Sequence, residues 1–354
     1  MSRTPRESAR AAAGQASTEV DSVPTGLELV RARPILVGPV EATFPLRPGD
    51  RPLVALGEAV VRGAPLADRV RDPRTEVVTG RIEPGAAEPG AYWAPPPGRR
   101  RAAVETARGE LLFRSGGRWR IGTGEHHELL EAPFPGIVRE VRPGIGIRLH
   151  SPAKGILGRE VLGRPTSGRL EVLAPRDREV RASEIDVGGA GAILVVGAHI
   201  DAEAITRARA VGVRGIVVAA LGVKERRDVL ASEKRGQAAV HGLPPFAIFV
   251  LDGAVRRPIA SPVMAVLEHL AGRAVAIVAN PPCLVIDDPD AELPPPEPDI
   301  VRVVAGPLVG AEGRWVGLAG PSRFAGGVVL EAGLVRFAGR PPVAVPLGDL
   351  ERFV

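Results

Sequence analysis

Val301-Arg302-Val303-Val304-Ala305-Gly306-Pro307-Leu308-Val309-Gly310-Ala311-Glu312-Gly313-Arg314-Trp315-Val316 is the stretch on which the reading of the fold turns. β-Branched pairs alternate with glycines here, and that combination predicts short strands joined by sharp turns. Gly306, Gly310 and Gly313 fall where a strand has to leave, turn and re-enter a very small barrel, which takes positive φ or a close backbone approach. Gly327-Val328-Val329-Leu330, Leu334-Val335-Arg336-Phe337 and Val343-Ala344-Val345-Pro346-Leu347 continue the pattern, and Asp349-Leu350-Glu351 closes it.

This segment, 299–354, resembles the KOW motif, in particular the C-terminal domain of NusG-type transcription factors. The resemblance implies an SH3-like β-barrel that serves as an interaction module. It implies binding to RNA, to ribosomal proteins or to the transcription machinery, through Arg302, Gly306, Gly310, Gly313, Arg314 and Trp315. Charge qualifies the implication. The segment holds six arginines (Arg302, Arg314, Arg323, Arg336, Arg340, Arg352) against five acids (Asp299, Glu312, Glu331, Asp349, Glu351). An excess of one positive charge is weak for phosphate recognition. A protein partner, associated with the ribosome or RNA polymerase, is expected ahead of direct RNA contact, which stays open.

Working outward, Leu293-Pro294-Pro295-Pro296-Glu297-Pro298 makes 291–298 a proline-rich linker. Before it, 182–290 carries unbroken apolar runs: Ile193-Leu194-Val195-Val196, Ile216-Val217-Val218, Phe246-Ala247-Ile248-Phe249-Val250-Leu251, Ala274-Val275-Ala276-Ile277-Val278 and Leu284-Val285-Ile286. Helical stretches at 201–210, 226–240 and 261–271 alternate with them, with Asp201 and Ser261 as N-caps. That alternation predicts an α/β domain whose sheet is mostly parallel and buried on both faces.

Gly197-Ala198-His199-Ile200-Asp201-Ala202-Glu203-Ala204-Ile205, ahead of Gly212-Val213-Arg214-Gly215-Ile216, resembles the swivelling phosphohistidine domain of phosphoenolpyruvate-utilising enzymes. Ala202 stands where that family has its histidine, so the resemblance implies the scaffold and not the phosphoryl transfer. His199, Asp252 and Asp287 each follow a strand directly, where open parallel sheets bind ligands. A histidine there can move a proton while a carboxylate orients it. Aspartates after strands also serve as turn formers and caps, and both readings stand. Nucleotide-binding glycine motifs, a phosphate loop and a Gly-x-Ser-x-Gly elbow are all missing.

Residues 26–175 read as β-rich, interrupted by a long Pro/Gly loop at 71–101. Gly49 to Leu66 and Ala132 to Leu149 resemble the two halves of a lipoyl/biotinyl-like barrel-sandwich hybrid. In that family a lysine at a hairpin tip carries the prosthetic group. The earliest lysine here is Lys154, in Ser151-Pro152-Ala153-Lys154-Gly155, after the second half rather than between the halves. No covalent cofactor is expected. His126, His127 and His150 lack the additional His-x-His pair and aspartate that a lysostaphin-type metal site needs, so surface or satisfied histidines are expected.

The whole sequence sets the frame. Its 354 residues suggest two or three domains. Lys154, Lys224 and Lys234 are the only lysines among 46 basic residues. With 36 prolines and 43 glycines, this composition points to a GC-rich bacterial genome. Aromatics make up 3%, so stacking platforms for single-stranded nucleic acid are scarce. The net charge of +5 allows an acidic partner without requiring one. Cys283 is the only cysteine, which rules out an internal disulfide and suits a reducing cytoplasm. Residues 1–25 read as a disordered tail, and no apolar run is long enough to span a bilayer.

The expected architecture is a multidomain α+β chain: an N-terminal barrel-sandwich hybrid, a central α/β domain and a C-terminal SH3-like barrel. The leading functional expectation is a non-enzymatic scaffold docking on the transcription or translation machinery. The alternatives are an accessory subunit of a metabolic or redox complex, and an enzyme with its site at the carboxyl edge of the central sheet.

Overall fold

The apolar runs in the middle of the chain become strands of one eight-stranded sheet. In the computed structural model, which describes residues 26–71, 75–78, 92–93, 109–115, 118–122, 126–237, 245–288 and 291–354, the strands are β1 Gly155–Leu157, β2 Glu160–Gly163, β3 Thr166–Val172, β4 Ala192–Val195, β5 Gly215–Ala220, β6 Ala247–Gly253, β7 Ala274–Ala279 and β8 Pro282–Ile286. Every residue of β4 and β5 is buried, as are the first five of β6. A strand covered on both faces has no polar side to show, and this is why these segments read as continuous apolar runs rather than alternating ones. Each fully buried Leu, Ile or Val contributes about 1.5–3 kcal/mol.

The spatial order is β1-β8-β7-β3-β4-β5-β6-β2. Only β3–β4, β4–β5 and β5–β6 pair in parallel. The other four pairings are antiparallel, which corrects the expectation of a mostly parallel sheet. The cause is local: β7 and β8 are joined through Asn280-Pro281 as a hairpin, and β1 and β2 enter from residues assigned to the N-terminal domain on sequence grounds. Those strands, with β3, carry the sheet across the expected boundary at 175.

β1 and β2 are the two edges of this sheet, yet only Gly158 and Arg159 separate them in the chain. Gly158 N–H donates to Pro282 O on β8 at 3.1 Å, and Arg159 N–H donates to Val250 O on β6 at 2.8 Å. The sheet therefore bends until its edges are two residues apart.

Three helices pack on it: α1 Ala202–Val211, α2 Val223–Gln237 and α3 Ser261–His269. Ala204, Ile205 and Ala208 of α1 join Leu194, Ile216 and Ile248 in one apolar cluster. Asp201 caps α1 as its sequence position suggests, its carboxylate accepting from Ala204 N–H at 2.7 Å. Ser261 is not a cap. It is the first residue of α3, Ala260 holds the cap position, and Pro262 follows in the first turn where its missing N–H costs nothing.

The N-terminal β region packs over β7 and β8, on the same face of the sheet as α1. Val40–Pro45, Gly146–Ser151, Gly136–Arg142 and Ala59–Val60 form an antiparallel four-stranded sheet, and His126–Glu131, Pro65–Arg71 and Arg51–Pro52 a three-stranded one. Val40, Ala42 and Phe44 face inward while Glu41, Thr43 and Pro45 face out, the period of two that a half-buried strand dictates. Their cluster continues into Ala276, Val278, Cys283 and Val285 of the central sheet, so this region and the central domain share a core.

Within 71–101, expected to be loop throughout, Thr75–Val77 and Tyr92–Trp93 are strands of a second four-stranded sheet with Arg118–Gly122 and Gly109–Ser115. β-branched and aromatic residues lying between the proline clusters account for them. Apart from Arg71 and Val78, the rest of that stretch, like the tail 1–25, lies outside the described residues.

Contacts divide the described residues into two units, Pro34–Pro296 and a second made by Glu297–Phe353 with residues 26–33. In the second unit the strands are β9 Ile300–Val303, β10 Glu312–Arg323, β11 Val329–Arg336, β12 Val343–Pro346 and β13 Leu350–Phe353. Arg31–Arg33 pairs in parallel with β13, giving the order Arg31–Arg33, β13, β9, β10, β11, β12. Residues 26–33 thus belong here and not to the N-terminal domain. Their contribution is a strand paired with the last strand of the chain, Arg31 opposite Glu351, and the Arg33 side chain donates to Glu351. The ladder is open at both ends.

Candidate functional site

The carboxyl edge of β4, β5 and β6 gathers the polar groups of the central domain. After β4 the chain turns at Gly197, whose φ is 78°. A Cβ there would lie 2.5 Å from both Pro175 O and Arg178 O, so the turn admits no side chain. It delivers His199 into a two-residue strand parallel to Glu179–Val180.

The His199 ring then lies beside the end of β5, with Nδ1 3.4 Å from Ala220 O. A carbonyl only accepts, so this contact selects the tautomer protonated at Nδ1 and leaves Nε2 as the basic nitrogen. Next along the edge is Gly222. The position its Cβ would occupy is 2.3 Å from Glu225 Oε2 and 3.8 Å from His199 Cε1. The absent side chain leaves the space beside which the Glu225 carboxylate and the His199 ring both lie.

Asp252 sits at the same edge, one residue before Gly253, which pairs with Ala220. Around these groups run the ion pairs Arg226–Glu160 (2.9 Å), Arg256–Glu179 (2.9 Å) and Arg178–Glu184. A polar groove lined by Arg178, Arg181, Glu184, Asp201 and Glu203 opens beside them. Chemically, the edge offers a half-buried histidine able to take a proton at Nε2, with carboxylates near it.

Asp287 does not join this group. The pairing of Glu160 with Val250 puts Asp252 level with Gly158, and the pairing of Gly155 with Val285 puts Asp287 level with Ala153. Five residues of strand, about 16 Å, separate the two levels. Asp287 instead receives Arg62 at 3.1 Å. Its carboxyl is nonetheless held above the usual range, chiefly by burial and secondarily by neighbouring Asp288, with Arg62 pulling the other way.

A carboxyl raised in the folded state contributes stability at low pH that is lost as pH rises through its folded value. At neutral pH, ionised Asp287 is therefore a net cost. Asp287→Asn is expected to leave thermal stability at pH 7 unchanged or raised by less than about 1 kcal/mol. A clear drop in melting temperature at pH 7 would contradict this.

Sequence reasoning missed Glu225 and Glu160. Glu225 had one available signal, the glycine three residues before it at a helix start. Glu160 had none, since it reaches Arg226 only through the pairing of β2 with β6.

The residues expected to contact a partner in the C-terminal unit fall into different classes. Arg302 has 0% exposure, on the central strand β9, opposite Glu351 on one side and Glu312 on the other. Trp315 is buried among Val301, Val335 and Leu350, and a Cβ at Gly333 would lie 2.0 Å from its ring. These two are core residues, which corrects their assignment as contacts. Gly306 and Gly310 adopt φ of 79° and 86°. Gly313 lies against β11, where a Cβ would meet Arg336 O at 2.7 Å. Arg314 is exposed, but Asp299 (2.7 Å) and Glu297 (2.8 Å) hold its guanidinium.

Of the other histidines, His127 Nδ1 lies 2.9 Å from both oxygens of Asp68. Among the described residues no group of three or more His, Cys, Asp or Glu is placed to hold a metal ion. Cys283 is buried in the shared core, and burial pushes its thiol up to about 12, which keeps it protonated and unreactive. No helix among the described residues is long and apolar enough to cross a membrane.

Compared with known protein families and with curated proteins, the chain matches none.

Proposed function

We propose that the protein is a non-catalytic docking protein that presents its C-terminal unit, read as a KOW-like SH3-type module, to a protein of the transcription or translation machinery. The observation that carries this reading is the outer half of the β10–β11 hairpin. Val316, Leu318, Val328, Val329 and Leu330 are 42–53% exposed there. Strand β9 covers β10 only as far as Arg314, so the later residues of β10 also present an open backbone edge. Val329 and Leu330 point to opposite faces, and neither face is covered. A two-stranded ribbon with exposed apolar groups on both faces is marginal in water by itself, and a partner that covers them would stabilise it.

Charge favours protein over nucleic acid. Arg314 is held by Asp299 and Glu297, and Arg33 and Arg302 lie against Glu351. These pairings lower the positive potential that the unit offers to phosphates.

A tagged pull-down from the native host, with and without nuclease, tests the reading. Ribosomal proteins or polymerase subunits that survive nuclease are expected, and the double variant Val329→Glu/Leu330→Glu should lose them while remaining folded. Recovery of a metabolic enzyme instead, unaffected by that variant, would overturn it.

The His199–Glu225 arrangement favours a second reading, a small-molecule site at the carboxyl edge. It predicts that His199→Ala alters a ligand-dependent property and not stability alone.

A further inference from the structure

A second concave site lies on the outer face of the N-terminal sheet, away from the carboxyl edge. It is a cleft of about 440 Å³ between that face and the Asn280-Pro281 turn joining β7 to β8. Small-molecule sites span roughly 300–1,000 Å³. The turn is fixed onto the sheet by a hydrogen bond from Thr43 N–H to Asn280 O at 2.8 Å, so the cleft is formed in advance of any occupant. Val37, Pro39, Leu157 and Pro281 make its walls apolar.

Two opposite charges enter it. The same period of two that buries Val40, Ala42 and Phe44 turns Glu41 and Thr43 outward, and Arg148 is paired opposite Thr43. Glu41 and Arg148 are therefore diagonal neighbours across two strands, with Cβ atoms roughly 7–8 Å apart or somewhat less. They form no ion pair with each other. Arg148 Nη2 contacts Glu140 at 2.6 Å, but Glu140 also takes Arg142, so one carboxylate is shared by two guanidiniums. Glu41 is 53% exposed, and the ion pair it makes is a loose one of 3.5 Å to His150 Nδ1. Arg148 Nε and His150 Nδ1 are both enclosed without a hydrogen-bond partner. Polar groups left in this condition are uncommon in folded proteins and costly.

We propose that this cleft binds a small zwitterion of the amino-acid class, its carboxylate on Arg148, its ammonium on Glu41 and its apolar side chain against Leu157 and Pro281. The charge pattern supplies the selectivity. A lone carboxylate that reaches Arg148 also faces Glu41, and a lone amine that reaches Glu41 also faces Arg148. Like charges held close are disfavoured, and only a ligand bearing both groups satisfies both residues.

Calorimetric titration of the full chain with L-leucine, isoamylamine and isocaproate tests this. These probes share one apolar body and differ in which charged groups they carry. Leucine is expected to bind about tenfold or more tighter than either of the others, and Glu41→Gln and Arg148→Met are each expected to weaken it about tenfold. The melting temperatures of the unliganded variants show whether they fold. If Arg148→Met does not, Glu41→Gln alone decides. Absence of leucine binding at millimolar concentration, equal binding of the amine or the acid, or indifference to Glu41→Gln would each overturn the proposal. The pull-down that tests docking reads the other unit of the chain, so the two ideas fail independently.

Discussion

Arg302→Ala is expected to destabilise the C-terminal unit by about 3–5 kcal/mol, the range found when one partner of a buried ion pair is removed. Arg302 is the largest fully buried side chain of the described residues. It lies 3.9 Å from Glu351, which Arg33 also contacts at 3.2 Å. Truncation to alanine removes the aliphatic stem that fills the space and strips the inner carboxylates of their central cation.

Arg302→Met also loses the charge but keeps most of the stem, and is expected to cost less than Arg302→Ala by the packing it retains. Urea denaturation followed by fluorescence of buried Trp315 measures both. The pair of variants also separates two roles for this arginine. A partner contact would leave the denaturation midpoint unchanged and abolish capture of the partner; a core residue lowers the midpoint first. An Arg302→Ala midpoint equal to that of the parent would sink the structural assignment.

Gly197→Ala should cost about 3 kcal/mol or more, and its cost has two separable parts. A left-handed φ disfavours any side chain by about 1–2 kcal/mol. The second part is steric. The new Cβ would lie 2.5 Å from two carbonyl oxygens, those of Pro175 and Arg178, and overpacking against backbone typically adds about 1–3 kcal/mol.

Gly191→Ala is the control. Gly191 has nearly the same φ, 79°, and open space around its Cβ position, so it should show the conformational part alone. Denaturation midpoints of the two variants give the difference directly. Similar losses would mean that the turn relaxes freely, and His199 would then not be held where it is seen. A much larger loss at Gly197 ties the placement of the carboxyl-edge histidine to a glycine two residues earlier.

The sequence by itself determined what depends on near neighbours. The buried strands around Ile193, Ile216 and Ile248 were legible because a segment covered on both faces must be apolar throughout. The start of α1 was legible because an Asn- or Asp-type side chain caps a helix within its own first turn, and Asp201 does so. The half-buried alternation over 40–45 and the sharp turns at Gly306 and Gly310 are equally local. His199 and Asp252 could be placed at one edge from their positions after strands.

The tertiary structure alone decided everything that depends on which distant segment pairs with which. Asp287 also follows a strand, and β8 runs the same way as β6, but the register of the pairings leaves its end level with Ala153, five residues away from the level of Asp252. Arg302 looks like a surface cation in isolation; burial comes from its place on a central strand, with Glu312 opposite it on the next strand and Glu351 brought alongside from the last one. The parallel count fell short because β7 and β8 close a hairpin and because β1 and β2 join from outside the segment read as the α/β domain, adding antiparallel partners at both edges. The cleft over Glu41 and Arg148 exists only because the Asn280-Pro281 turn, far along the chain, accepts a hydrogen bond from Thr43. Strand propensity is a property of a few adjacent residues, whereas register, edge and burial of a charge are properties of pairs far apart in sequence.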